Sequence, residues 1–155
     1  MPSLPPVLAL DLEGTLVALS PSLTLRPGLP DFFAFAYTHF HRIAIYSLVS
    51  RPQAQGLVQV LVDQAQAPAR LAQEFVYVAS ENQYKDLAFV PRQPGQGVLL
   101  IDDNPDNIKP GQESDVVCIP SFRPYPGGLG LAEPDRELEL LQPRIATWLR
   151  ACQKN

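Results

Sequence analysis

Two short apolar runs in this chain end in pairs of carboxylates. Val7-Leu8-Ala9-Leu10 leads into Asp11-Leu12-Glu13-Gly14-Thr15, and Gly97-Val98-Leu99-Leu100-Ile101 leads into Asp102-Asp103-Asn104-Pro105. A further run, Ile43-Ala44-Ile45-Tyr46, ends on the hydroxyl of Ser47, and Lys85 follows another, Phe75-Val76-Tyr77-Val78-Ala79. Paired carboxylates supply acids, bases, nucleophiles and ligands for hard cations, while a hydroxyl and an ammonium donate to an anion. A single acid at a strand end is as readily a solvated turn. That explanation fails for Asp11, Glu13, Ser47, Lys85, Asp102 and Asp103 together, all at or just past strand ends.

The elements that carry these residues follow from periodicity. Val7 to Asp11 reads as a first strand, apolar on both faces as a central parallel strand is. Leu16 to Ser20 and Ser22 to Arg26 flank Pro21 and predict a small flap or hairpin. A helix is expected from about Asp31, with Leu29, Phe32, Phe33, Ala36, Tyr37 and Phe40 on one face. Ile43 to Ser47 is the second strand, and Ser50-Arg51-Pro52-Gln53 has the form of a capped helix start. Ala54, Leu57, Val58, Leu61, Val62 and Ala65 then recur at helical spacing. Phe75 to Ala79 is the third strand, with Tyr84-Lys85-Asp86-Leu87 in the loop or helix start after it. The run from Gly97 is the fourth strand and Asp115 to Ile119 the fifth. A closing helix places Leu138, Leu141, Ile145, Trp148, Leu149 and Cys152 on one side, and Pro143 is expected to kink or split it. Strands alternating with helices predict an α/β fold, a parallel sheet covered on both faces with right-handed crossovers. Ligands of such sheets bind at the carboxyl ends of the strands, where the polar residues above collect.

Composition narrows the class. The chain has 155 residues, 46% of them hydrophobic, which suits one domain with a real core and is too few for two ordinary ones. A net charge of -4 gives no bulk attraction to nucleic acid or an anionic membrane, so any phosphate recognition must be local. No stretch approaches the ~18 apolar residues of a membrane span, and Met1 to Pro6 lacks the features of a leader, so a soluble, cytoplasmic or otherwise intracellular protein is expected. Cys118 and Cys152 fall on a strand and a helix and read as packing residues rather than a disulfide. His39 and His41 read as surface residues, since no partner at metal-binding spacing accompanies them. Proline punctuates the connections, as in Arg26-Pro27-Gly28 and Gln93-Pro94-Gly95. Cys118-Ile119-Pro120-Ser121-Phe122-Arg123 has a superficial likeness to the Cys-to-Arg loop of cysteine-dependent phosphatases. It has one intervening residue too few and lacks the glycines that let backbone amides converge on phosphate.

Taken in order, Asp11-Leu12-Glu13-Gly14-Thr15-Leu16, Ser47, Lys85 and Asp102-Asp103 resemble the four motifs of the haloacid dehalogenase superfamily of aspartate-nucleophile phosphatases. Within it the likeness is to the NLI-interacting-factor and RNA polymerase C-terminal-domain phosphatase group. That group carries Lys-Asp-Leu at its third motif, as in Lys85-Asp86-Leu87, and a paired Asp-Asp or Asp-Asn, then Pro, at its fourth. Arg26-Pro27-Gly28 before an aromatic helix, and a leucine-rich closing helix containing a proline, extend the resemblance from about Val7 to Leu149. It implies a Rossmann-like three-layer sandwich with strand order 3-2-1-4-5 and one phosphatase domain over residues 1–155.

The resemblance also implies roles. Asp11 would attack phosphorus to form an aspartyl-phosphate, splitting the hydrolysis into two steps. Mg2+ would sit between carboxylate and phosphate, held by Asp11, the backbone carbonyl of Glu13 and a fourth-strand carboxylate, with Asp103 as the direct ligand and Asp102 as its supporter. Ser47 would donate to a phosphoryl oxygen, and Lys85 would offset charge while orienting Asp11. Glu13 departs from the pattern: active members usually carry Asp there as general acid and base. Glutamate adds a methylene, and misplacement of about 1 Å can cost ~10²-fold. Two readings follow, a Mg2+-dependent phosphatase and a phosphatase-like module that binds without turnover. The short intervals between Leu16 and Ser47 and between Ser47 and Lys85 leave no room for a cap domain. An open site favours a phosphorylated protein or peptide, with phosphoserine or phosphothreonine as the expected substrate, whereas subunit association would adapt it to a small phosphate ester. Ser121-Phe122-Arg123-Pro124-Tyr125-Pro126 is either a contact surface beside the site or an ordinary connection to the last helix.

Overall fold

In the computed structural model, which describes residues 4–124 and 134–154, the first apolar run forms the central strand β1 (Val7–Leu10), buried at all four positions. A chain buried on both faces must be apolar on both, and the alternation of side chains divides the run between two cores. Leu8 and Leu10 pack into the larger one; Val7 and Ala9 join the smaller.

After β1 come the hairpin β2 (Val17–Ala18) and β3 (Thr24–Leu25), helix α1 (Leu29–His39), β4 (Arg42–Ser47), α2 (Arg51–Asp63), α3 (Ala69–Gln73) and β5 (Tyr77–Ala79). They are followed by β6 (Val98–Asp102), β7 (Val116–Cys118) and α4 (Glu137–Gln153). The main sheet runs β5-β4-β1-β6-β7 and is parallel throughout. Counting only its own strands, this is the expected order 3-2-1-4-5. The antiparallel β2-β3 pair is the expected flap, set off from the sheet.

The larger core collects Phe32 and Phe33 of α1, Val58 and Leu61 of α2, and Leu141 and Ile145 of α4. The smaller is closed by Leu87 and Val90, in and after a short 3-10 turn. Ser50 caps α2 by accepting from the Gln53 amide, and Pro52 occupies the first turn where its missing N–H costs nothing.

Three expectations need correction. Ala65 is not on the stripe of α2: the helix stops at Asp63, Ala65 takes a positive φ of 56° and is exposed, and Ala67 fills the buried place. Pro143 does not split α4, which is continuous from Glu137 to Gln153. Pro143 and Glu139 both face solvent, so water can satisfy the Glu139 carbonyl that loses its helical donor. Cys152 is exposed on the final turn and is not a packing residue, whereas Cys118 is half-buried; both are free thiols. His39 and His41 lie on the surface as expected. Among the described residues no helix is long and apolar enough to cross a membrane.

Candidate active site

β1 stops at Leu10 because the next residues are needed for a turn. The Asp11 amide makes a last bond to the Ile101 carbonyl (3.0 Å), after which the Leu12 carbonyl accepts from the amides of Thr15 (3.2 Å), Leu16 (2.9 Å) and Val17 (3.2 Å). This tight loop passes through Gly14 at φ +84°. It brings the Thr15 hydroxyl 2.9 Å from Asp11 Oδ2.

Beside β1 in the sheet, β6 delivers Asp102 and Asp103 to the same edge, and Lys85 reaches in from the loop after β5, its amide fixed to the Asn107 carbonyl at 2.8 Å. Lys85 is 1% exposed and its ammonium donates to Asp11 Oδ1 (2.9 Å) and Asp102 Oδ2 (2.6 Å). Asp102 is further engaged by the Asn104 amide at 2.9 Å and the Asn107 side-chain amide at 3.3 Å, and is itself buried. Asp103 remains half-exposed; it accepts from Ser121 Oγ at 2.8 Å, with Thr15 Oγ1 at 3.3 Å from its other oxygen. Ser47 ends β4, buried, and its hydroxyl accepts from the Val49 amide at 3.2 Å.

Of the six polar residues, Asp11, Glu13, Ser47 and Asp103 line one cavity of about 640 Å³. Lys85 and Asp102 are not in its lining; Lys85 bonds Asp11 and so links Asp102 to it. Glu13 is exposed, and its carboxylate has no hydrogen-bond partner among the described residues. The cavity walls include Ala18 and Leu19 of the flap, Leu48 and Phe122, with Leu48 73% exposed at the mouth. Part of the proline-rich stretch, Ser121 to Pro124, also lines it; Tyr125 and Pro126 lie outside the described residues.

Asp11, Asp102 and Asp103 each offer an oxygen within 4.8 Å of the others. Among the described residues, one ammonium, that of Lys85, bonds two of these three carboxylates, which leaves the cluster short of positive charge. Burial lifts the Asp11 carboxyl from 3.8 to about 7, with the Lys85 charge opposing and the neighbouring Asp102 adding to the rise. An all-oxygen donor set with surplus negative charge, partly open to solvent, fits a hard divalent cation such as Mg2+. Cys118 has no such setting. Burial, then the Asp102 and Asp103 charges, push its thiol up, away from the thiolate that a cysteine-dependent phosphatase requires.

Gly14 is required here by space as well as by φ. A Cβ on Gly14 would fall inside the Asp103 carboxylate, 2.7 Å from its Cγ. Gly14→Ala is therefore expected to cost on the order of 1–3 kcal/mol through backbone strain alone. It should also displace Asp103, read as a lowered Tm together with weaker binding of any cation that Asp103 ligates. An unchanged Mg2+ titration would show that Asp103 need not sit where Gly14 holds it.

Several contributors to the site have no role that the sequence alone suggests. Arg26, 1% exposed, donates to the carbonyls of Gly14 (3.2 Å), Thr15 (3.1 Å) and Pro120 (2.8 Å) and pairs with Asp135 at 3.0 Å. Its position before Pro27-Gly28 was a signal that it mattered, but its acceptors lie up to 109 residues away. Thr15 stands in the first motif without a role of its own, Ser121 falls in the proline-rich stretch beside the site, and Asn107 has no local signature.

Residues 6–154 match the family described as NLI interacting factor-like phosphatase. Among solved structures, "The Structure of Fcp1, an essential RNA polymerase II CTD phosphatase" aligns with 93% of this chain and 49% of its own, at a TM-score of 0.58 and 12% identity. A second, "Structure of Pnkp1/Rnl/Hen1 complex", aligns with 77% of this chain and 47% of its own, at a TM-score of 0.51 and 16% identity. The chain thus spans about half the length of each. At these identities the likeness is one of fold.

Proposed function

The chain belongs to the NLI interacting factor-like phosphatase family, and from that membership we propose that residues 1–155 form a single Mg2+-dependent phosphomonoester hydrolase domain acting on phosphoserine or phosphothreonine in protein. The observation that carries this reading is the setting of Asp11. One of its oxygens is paired with Lys85 and the other bonded by Thr15, at the floor of a cavity that Asp103 also lines. A capless cavity with exposed apolar groups at its mouth suits a phosphorylated segment of a protein better than an enclosed metabolite.

Mg2+, held by Asp11, the Glu13 backbone carbonyl and Asp103, would neutralise the phosphate dianion. Asp102 is already engaged by Lys85, Asn104 and Asn107, which suits it to a supporting place rather than a ligand's. In the first step an Asp11 carboxylate oxygen bonds to phosphorus as the bond to the substrate's serine or threonine oxygen breaks. Glu13, protonated, gives its proton to that leaving oxygen; as carboxylate it then takes a proton from the water that attacks phosphorus and frees Asp11. Ser47 donates to a phosphoryl oxygen, and Lys85 balances the charge that builds beside Asp11.

The exposed, unbonded Glu13 carboxylate supports a second reading, a module that binds phosphate without turnover. Glu13→Asp distinguishes the two. Hydrolysis of an aryl phosphate that depends on Mg2+ and rises in Glu13→Asp, by as much as ~10²-fold, is the result expected of the enzyme. A folded wild type and Glu13→Asp variant that both bind Mg2+ and beryllofluoride yet release no phosphate would establish the module instead.

A further inference from the structure

Resting on the reading of Asp103 as a cation ligand, we infer that Ser121 is the residue that orients its carboxylate. A half-exposed carboxylate at a cavity wall is free to turn about its last bond unless something holds one oxygen. Among the described residues two hydroxyls lie near enough. Thr15 has a single proton and two acceptors, Asp11 Oδ2 at 2.9 Å and Asp103 Oδ1 at 3.3 Å, and the shorter contact takes it. Ser121 Oγ, at 2.8 Å from Asp103 Oδ2, donates to no other acceptor among the described residues. The close approach of Gly14 walls off the same oxygen. Asp103 is therefore gripped at Oδ2, which leaves lone pairs of Oδ1 for a cation.

Ser121 is exposed, yet its backbone is tied down on both sides. The Ile119 amide bonds the Asp102 carbonyl (3.0 Å), the Phe122 amide bonds the Gly14 carbonyl (2.7 Å), and Arg26 holds the Pro120 carbonyl (2.8 Å). Arg26 also holds the Gly14 and Thr15 carbonyls, so one guanidinium sets the spacing between the nucleophile loop and the segment carrying Ser121. Ser121 is thus a positioning residue, acting on the cation through Asp103. Partners of this kind typically affect metal affinity or activity 10- to 100-fold.

The test uses the full chain with Ser121→Ala, Ser121→Thr and Asp103→Ala. Mg2+ binding is measured by calorimetry without substrate, and the Mg2+ concentration for half-maximal hydrolysis of para-nitrophenyl phosphate is measured beside it. Ser121→Ala is expected to weaken both roughly 10- to 100-fold with Tm unchanged, since an exposed hydroxyl is removed and no core is opened. Ser121→Thr, which keeps the hydroxyl, should return to within a few-fold of wild type. Wild-type Mg2+ affinity in Ser121→Ala, while Asp103→Ala abolishes binding, overturns the role of Ser121 and leaves the cation site standing. Loss of affinity in both Ser121 variants with a matching fall in Tm also overturns it, by assigning Ser121 to the fold. A wild type that takes up no Mg2+ removes the underlying reading and this one with it.

Discussion

Asp11→Asn, on the nucleophile role proposed for Asp11, is expected to reduce Mg2+-dependent phosphate release by roughly 10⁴-fold or more, equivalent to about 5.5 kcal/mol of transition-state stabilisation. The amide has the shape of the carboxylate but no charge to bring to phosphorus, and neither step of the proposed mechanism remains available. The loss should fall on kcat and appear equally with an aryl phosphate and a phosphopeptide, because the defect lies at phosphorus and not in the contacts with the rest of the substrate. Covalent trapping gives the direct check: labelled phosphate retained on acid-quenched wild type and absent from Asp11→Asn. Turnover that survives the substitution would remove Asp11 from its role.

The same variant carries a stability signature. With its carboxyl lifted from 3.8 to about 7, folded Asp11 retains a proton across a range in which the unfolded chain has lost it. The native state then binds more protons than the unfolded one, so in the absence of Mg2+ stability falls as pH rises from about 4 to about 7. Asp11→Asn removes that contribution, and its Tm should fall less than wild type's across the same window.

Lys85→Met is the variant expected to hurt the fold most. Among the described residues, Lys85 is the one cation paired with Asp11 and Asp102, both buried, and its own side chain is 1% exposed. Removing one member of a buried ionic group leaves its partners uncompensated, at a cost of about 3–5 kcal/mol. For a chain of this length that is a fall in Tm on the order of 10 °C, measured without Mg2+. Adding Asp102→Asn to Lys85→Met should recover part of the loss, since it removes one of the stranded charges; such coupling is expected of residues in direct contact. A Lys85→Met protein as stable as wild type would mean that the carboxylates do not depend on the ammonium for their place. Catalysis should fail as well, because Asp11 would lose the group bonded to its Oδ1.

The two variants separate chemistry from scaffold. Asp11→Asn should leave a folded, inactive protein, while Lys85→Met should weaken both properties. The difference follows from what each residue touches: Asp11 faces the cavity, whereas Lys85 is buried and not in its lining.

Much of this was legible in the order of residues. A run such as Val7–Leu10 has no polar face to expose, so it must be a central strand, and the residue after it must emerge at the strand's carboxyl end. The same logic applied to β4 and β6 brings Ser47, Asp102 and Asp103 to one edge with Asp11. Once the strands are parallel, their ends coincide without further information. The helical stripes were read by period, and failed where period alone is a weak guide: at Ala65, where the chain had already turned out of α2, and at Cys152, where the last turn of α4 is exposed.

What only the tertiary structure decided is the division of labour among groups that look alike in sequence. Asp102 and Asp103 are adjacent and chemically identical, yet successive strand residues point to opposite sides, so one is buried against Lys85 and the other turned to the cavity and Ser121. Arg26 reads as one more charge before a turn, and only the folded chain brings it to Gly14, Pro120 and Asp135. Burial pattern and strand direction are local properties and are written in a few neighbouring residues. A hydrogen bond between residues 12 to 109 positions apart depends on the whole path between them.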